Sequence, residues 1–269
     1  MQILKETPTL QRFEVTYSSA GHTISGTLTR PTGNGPFPAV VSNHGYLPPG
    51  DYQVGNGLAT EELELAEAGF VVLHPDYRGY GLSDPLLPFE QELRLVYTQD
   101  VVNAADALTT LAFVDPTRLA LLGRSMGGAL AINALVTHPG LVQAAVVYAP
   151  LSSDFLEGSA LLDRLGPETL STVLNTFGTP ESAPDFYRGL SSRYSFDKIT
   201  EPLLIQHGTA DRTCPLRWSE KTQRLLVAAG ITSELVEWPG EDHVFVRSAG
   251  PALARTIAFL RDKLDLPPS

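Results

Sequence analysis

One stretch constrains this chain more than any other. The apolar run Leu119-Ala120-Leu121-Leu122 passes through Gly123-Arg124-Ser125-Met126-Gly127 into Gly128-Ala129-Leu130-Ala131-Ile132. A buried strand, a sharp turn with glycines on either side of a serine, then a helix is the setting in which Gly-x-Ser-x-Gly lifts a serine hydroxyl above the edge of a sheet. Such a turn is strained, and glycines let the helix approach the strand because they carry no Cβ. The pentapeptide alone is a weak signal; the strand and helix around it give it force.

The rest of the chain fits that setting. Segments 12–17 and 23–29 alternate in polarity around Ala20-Gly21-His22 and read as a hairpin. Phe37-Pro38-Ala39-Val40-Val41-Ser42 is a continuous apolar strand followed by the loop His44-Gly45-Tyr46. Residues 61–68 read as a helix stopped at Gly69, and 70–73 as the next buried strand. Residues 94–113 have helical spacing. Residues 143–148 and 202–206 are two more buried strands, 233–238 alternates like an edge strand, and 252–264 closes the chain as a helix. Apolar strands alternating with helices predict an α/β fold: a mostly parallel central sheet with helices on both faces.

One interval breaks the rhythm. Residues 151–199 hold no clear strand, only helical stretches at 155–165 and 168–177, and are too long for an ordinary connection. The expected organisation is a core domain of residues 1–150 and 200–269 with a helical cap insertion at 151–199. Phe155, Leu161, Leu165 and Phe177 are apolar beyond the needs of a solvated loop, so they are the expected substrate pocket.

Composition narrows the partners. Nineteen Lys and Arg against thirty Asp and Glu leave a net charge of -11, which repels phosphate backbones and anionic lipid, so neither nucleic acid nor membrane is an expected partner. No basic segment followed by an apolar core opens the chain, and no run is long enough to span a bilayer. The single Cys214 cannot form an internal disulfide, and no Cys/His cluster has zinc spacing. The expectation is a cytoplasmic protein with no cofactor and no metal; oligomerisation stays open.

A serine hydroxyl needs a base within hydrogen-bond reach, and the base needs a partner that fixes its tautomer. Asp211 lies in the loop after the strand at 202–206, and His243 in the loop between the last strand and the last helix. Parallel strands deliver such loops to one edge. Asp242 and Asp185 are poorer acids by position, one beside the base and one inside the insertion. Two N–H groups should stabilise an oxyanion, that of Met126 after the serine and that of Tyr46 in the His44-Gly45-Tyr46 loop. Arg124 is expected in a structural salt bridge, Cys214 in packing, and His74 and His207 in structural roles at strand ends.

Together these motifs resemble the α/β-hydrolase superfamily over almost the full chain, most of all the single-domain esterases and hydrolases related to the catalytic domain of prolyl oligopeptidases. The resemblance rests on Asn43-His44-Gly45-Tyr46, on Pro75-Asp76-Tyr77-Arg78-Gly79-Tyr80-Gly81-Leu82-Ser83-Asp84 and on the Ser125 turn. It rests also on His207-Gly208-Thr209-Ala210-Asp211 with Cys214-Pro215, and on Pro239-Gly240-Glu241-Asp242-His243-Val244-Phe245. It implies a Ser125, Asp211, His243 triad and a structural loop held by Arg78. Dienelactone hydrolases share much of the pattern but carry cysteine where Ser125 stands. Oligopeptidases carry a β-propeller ahead of this domain, for which the chain before the hairpin leaves no room. The implied function is therefore hydrolysis of small-molecule carboxylic esters through an acyl-enzyme. The alternatives are a serine peptidase or amidase acting on small peptides or amides, and a non-catalytic binding protein that keeps the fold.

Overall fold

Val40 and Val41 show how the sheet is built. Both are buried on one apolar strand, yet Val40 packs with Ala120, Leu122 and Val146 on one face, and Val41 with Leu121, Ala145 and Val147 on the other. Successive side chains on a strand point to opposite faces, so a strand apolar at every position must be covered twice. The computed structural model describes residues 1–86, 95–165 and 169–267, with the side chains of Leu95, Leu165 and Thr169 also outside the description.

Nine strands are described: β1 (Gln2–Glu6), β2 (Leu10–Ser19), β3 (His22–Pro31), β4 (Phe37–Asn43), β5 (Val71–Pro75), β6 (Val114–Arg124), β7 (Ala144–Tyr148), β8 (Leu203–Gly208) and β9 (Ser233–Trp238). They form one sheet in the order β1-β2-β3-β5-β4-β6-β7-β8-β9. The pairs from β1 to β5 are antiparallel, and every pair from β5 onward is parallel. Ala20 and Gly21, at φ +49° and +85°, make the tight turn of the β2–β3 hairpin. β9 is half-buried except at the exposed Glu234 and Glu237, as suits an edge strand.

The helices are α1 (Ala59–Glu67), α2 (Leu95–Thr109), α3 (Met126–Thr137), α4 (Phe155–Leu165), α5 (Thr169–Phe177), α6 (Pro184–Leu190), α7 (Leu216–Ala228) and α8 (Ala249–Lys263). Side chains of α2, α3 and α7 join the core on one face of the sheet, and those of α1 and α8 the core on the other. The α/β fold expected from the sequence is the fold observed. The parallel registers pair Asn43 with Gly123, Arg124 with Tyr148, Tyr148 with Gln206 and Gly208 with Trp238. The loops that follow β4, β6, β8 and β9 therefore emerge side by side along one edge.

Some elements differ from their expected spans. The helix expected over 94–113 is described from Leu95 and ends at Thr109; Arg94 lies outside the described residues. β1 and α7 were not expected. All five residues of β1 are exposed, so no burial pattern marks it. The face that α7 buries is formed by Trp218, Ser219, Thr222 and Leu226, and the two hydroxyl residues hide its apolar period.

The 151–199 interval is helical, holding α4, α5, α6 and a 3-10 helix (Ser192–Lys198). Leu161, Leu162, Phe196 and Ile199 enter the same core as Met126 and Leu130. Ser153 Oγ meets Thr222 Oγ1 of α7 at 3.0 Å, and Arg193 pairs with Asp154.

Candidate active site

Ser125 stands between β6 and α3 at φ +56° and ψ -118°, a region that L residues occupy only when the surroundings force it. The forcing is visible. Its N–H donates to Tyr148 O at 3.0 Å, and its C=O accepts from Leu151 N at 3.1 Å. The glycines are required by space: a Cβ at Gly123 would stand 2.3 Å from Gly127 O, and one at Gly127 would stand 2.0 Å from Asn43 O. The loop after β4 presses on the nucleophile from above, where a Cβ at Gly45 would lie 3.2 Å from Ser125 Cβ.

That loop is held rigidly. The His44 ring stacks on Tyr52 and Tyr77 with centroids 4.7 and 4.4 Å away. Burial, with His74 nearby, lowers the His44 pKa to about 3, so the ring is neutral at physiological pH. Tyr52 donates to Asp76 Oδ1 at 2.6 Å, Tyr77 to His44 O at 3.3 Å and Tyr80 to Leu47 O at 2.9 Å. Tyr46 is half-buried against the core beside this cluster. Met126 opens α3, so its N–H has no acceptor within the helix.

Of the three candidate carboxylates, Asp211 is the one bonded to His243, with Oδ2 2.8 Å from Nδ1. Asp242 is exposed and accepts Val244 N, while Asp185 is exposed on α6. The Asp211 side chain is fully buried. Burial works to raise its pKa, but hydrogen bonds from His207 and His243, and the N–H of Thr213, hold the carboxyl well below the usual range. Its Oδ1 accepts from Thr213 N at 2.7 Å and Cys214 N at 2.9 Å.

His243 is 18% exposed, on a loop folded around the buried carboxylate of Glu241. That carboxylate accepts the N–H groups of Asp242, Arg247 and Ser248. Glu241 O in turn accepts Ala210 N at 2.8 Å, tying the histidine loop to the aspartate loop. Gly208 permits the approach, since a Cβ there would stand 2.4 Å from Glu241 O.

Ser125 Oγ rests 3.9 Å from Cys214 Sγ, and among the described residues it makes no hydrogen bond to His243. Hydrogen bonds of this kind commonly tighten only when substrate is bound. Burial, with Asp211 close by, pushes the Cys214 thiol up to about 12, so it remains a thiol and does not compete as a nucleophile. The sequence marks Cys214 as packing; its contact with Ser125 becomes visible only once the two loops meet.

Arg124 pairs with Glu61, as expected, and its guanidinium lies 5.5 Å from the Tyr148 ring centre. Arg78 makes a buried ion pair with Asp100 at 2.7 Å, holding its loop. Of the expected pocket residues, Leu161 is buried in the core that contains Met126 and Leu151. Phe155 and Phe177 are half-buried and face rings of α6: Phe155 lies 6.3 Å from Tyr187, and Phe177 stacks on Phe186 at 4.5 Å. The side chain of Leu165 lies outside the described residues. Among the described residues no cluster of His, Cys, Asp or Glu could hold a metal, and no helix is long and apolar enough to cross a membrane.

The arrangement thus places a largely buried serine, a carboxylate-bonded imidazole and a helix N-terminus along one edge of the sheet. The family model described as Prolyl oligopeptidase family matches residues 58–266. Dipeptidyl peptidase 4 of Felis catus is 29% identical over 187 residues, 68% of this chain and 23% of that protein. Inactive dipeptidyl peptidase 10 of Mus musculus is 26% identical over 198 residues, 72% of this chain and 24% of that protein. The chain therefore spans about a quarter of the length of these curated relatives. Among solved structures, a puromycin-hydrolyzing peptidase of Mycobacterium tuberculosis has a TM-score of 0.76 at 22% identity, covering 96% of this chain and 40% of that one. At that identity the likeness is one of fold.

Proposed function

Because the chain belongs to the prolyl oligopeptidase family of serine hydrolases, we propose that it cleaves amide bonds of short peptides or acylated amines through an acyl-enzyme. Ser125 is the nucleophile, His243 the base and Asp211 the carboxylate that orients it. The observation that carries this reading is the 2.8 Å bond between Asp211 and His243 on the edge where the strained Ser125 emerges.

Asp211 accepts a hydrogen bond from Nδ1–H of His243, leaving Nε2 free to take a proton. Ser125 Oγ attacks the carbonyl carbon as its proton passes to His243 Nε2. The carbonyl oxygen becomes an oxyanion, stabilised by the N–H groups of Met126 and Tyr46. His243 then gives that proton to the departing amine as the C–N bond breaks, leaving an ester on Ser125. Water, deprotonated by the same imidazole, releases the acid and restores the serine. Phe155, Leu161, Leu165 and Phe177 remain the residues proposed to line the acyl side, and the 151–199 insertion the proposed cap.

Amide cleavage stands ahead of ester cleavage, reversing the order expected from the sequence. Relatives active by name are peptidases, among them the cat dipeptidyl peptidase. The same machinery expels an alkoxide more easily than an amine, so ester turnover is expected alongside.

Aminoacyl p-nitroanilides run beside p-nitrophenyl esters of graded acyl length test the reading. The expected result is anilide hydrolysis that disappears in Ser125→Ala. Turnover of esters alone would make the protein a carboxylesterase. No turnover, with no fluorophosphonate label on Ser125, would make it a silent relative like the inactive mouse protein.

A further inference from the structure

His207 is buried to 0% exposure and takes no part in the steps above, yet its ring is bonded on both sides. Nδ1 lies 2.7 Å from Ser219 Oγ on α7. Nε2 lies 2.8 Å from Cys214 O and 3.3 Å from Asp211 Oδ2. A carbonyl and a carboxylate can only accept, so Nε2 carries the proton, donates it to Cys214 O and holds it near Asp211 Oδ2. In the neutral ring Nδ1 is then the acceptor, receiving the Ser219 hydroxyl, and the partners alone assign the tautomer. Asp211 Oδ2 consequently faces two imidazole N–H groups, from His243 at 2.8 Å and from His207 at 3.3 Å.

We infer that His207 is a positioning residue for the proposed hydrolysis, sharing Asp211 Oδ2 with His243 and holding, through Cys214 O, the turn that carries the acid and sets the thiol beside Ser125. The inference rests on the hydrolase reading. The turn is small and closed: Asp211 Oδ1 receives Cys214 N, His207 receives Cys214 O, and Cys214 Sγ touches Ser125 Oγ. His207 thus lies in ion-pair range of the carboxylate and, through one residue, in contact with the nucleophile.

A second role follows from charge. Each N–H on Oδ2 draws on the same carboxylate, so His207 limits how strongly Asp211 favours a protonated His243. The ionisable side chain facing His207 is Asp211, with His243 across the shared carboxylate and the Cys214 thiol placed against Ser125 Oγ. α7 presents the uncharged Ser219, and its strand partner on β9, Glu237, is exposed. Removing His207 concentrates the carboxylate charge on His243, and the acid limb of the rate profile moves to higher pH.

The test is the rate of Ser125 labelling by a fluorophosphonate probe against pH, with kcat and KM measured on an alanyl p-nitroanilide and on p-nitrophenyl acetate. His207→Phe should slow labelling and kcat about 10- to 100-fold, the size of one charge-assisted hydrogen bond, leave KM within about two-fold, and move the limb upward. His207→Gln, whose amide N–H can replace Nε2–H, should recover most of both. Ser219→Ala, which frees the tautomer, should move the limb the same way by less, and it serves where His207→Phe does not fold. A merely structural histidine would lower the melting temperature and leave the limb in place. A limb unmoved in His207→Phe and Ser219→Ala, in a protein whose wild type labels, would overturn this inference alone. A wild type that takes no label would overturn the hydrolase reading and this inference with it.

Discussion

Ser125 is held in a backbone conformation that costs of order 1–3 kcal/mol, and the bonds to Tyr148 O and Leu151 N are what sustain it. The hydroxyl itself adds little to the core, so Ser125→Ala should keep the fold and lose roughly 10⁴- to 10⁶-fold in kcat, as when a triad member is removed. Asp211→Asn should cost about 10³- to 10⁴-fold, because an amide favours the wrong imidazole tautomer. Asp242→Asn should stay near wild type, since Asn keeps the oxygen that accepts Val244 N. Steady-state kinetics on the three variants check this, and a damaged Asp242→Asn beside an active Asp211→Asn would reverse the choice of acid. Because its hydrogen bonds hold the Asp211 carboxyl well below the usual range, this carboxylate should stay ionised far into acid, and its protonation should not limit activity near neutral pH. The placement of Ser125, Asp211 and His243 on loops at one edge of the sheet was legible in the sequence because each follows a strand in a recognisable motif. The contacts of Cys214 with Ser125 and of His207 with Cys214 and Asp211 were not, because they arise from a meeting of loops that neither spacing nor residue type announces.

The elements around the site are fixed by close backbone approaches. Gly127→Ala would drive a Cβ to 2.0 Å from Asn43 O, with no flexible side chain there to yield. Denaturant melts should show a loss of more than about 3 kcal/mol, or no folded protein. The loop carrying His243 depends instead on Glu241. Burial works to raise its pKa, but the amides of Ser248, Asp242 and Arg247 hold the carboxyl below its ordinary value. A carboxyl lowered by folding stabilises the protein fully above its unfolded value, about 4.3. That contribution is lost as pH falls through the lower folded value. Glu241→Gln should therefore reduce the melting temperature at pH 7 and flatten its fall at acid pH. An unchanged melting curve across pH would show that the loop does not need the charge. At this scale the sequence reads well where burial is apolar: β4, β7 and β8 lie within two residues of expectation. It reads poorly where an element is solvated or buries hydroxyls, as β1 and α7 do.

The whole molecule brings four loops to one edge because its central strands run parallel, while the 151–199 segment packs into the core of α3 and α7 through Leu161, Phe196 and Ile199. Leu161→Ala should cost about 2–4 kcal/mol, as for a truncated core leucine. If the segment forms the acyl pocket, the variant should also change the preference among esters of graded acyl length, as should Phe177→Ala with less effect on stability. Unchanged preference in both would reduce the segment to packing. The alternation of strand and helix made the architecture legible, but the way the 151–199 segment packs depends on contacts between helices that no local pattern encodes. The most direct test of the central claim is intact-mass and peptide-mapping analysis after treatment with a fluorophosphonate probe. A single adduct on Ser125, absent in Ser125→Ala and strongly slowed in His243→Ala, is the predicted result. A folded wild type that takes no adduct, or takes it elsewhere, would contradict the assignment of this edge as a serine hydrolase site.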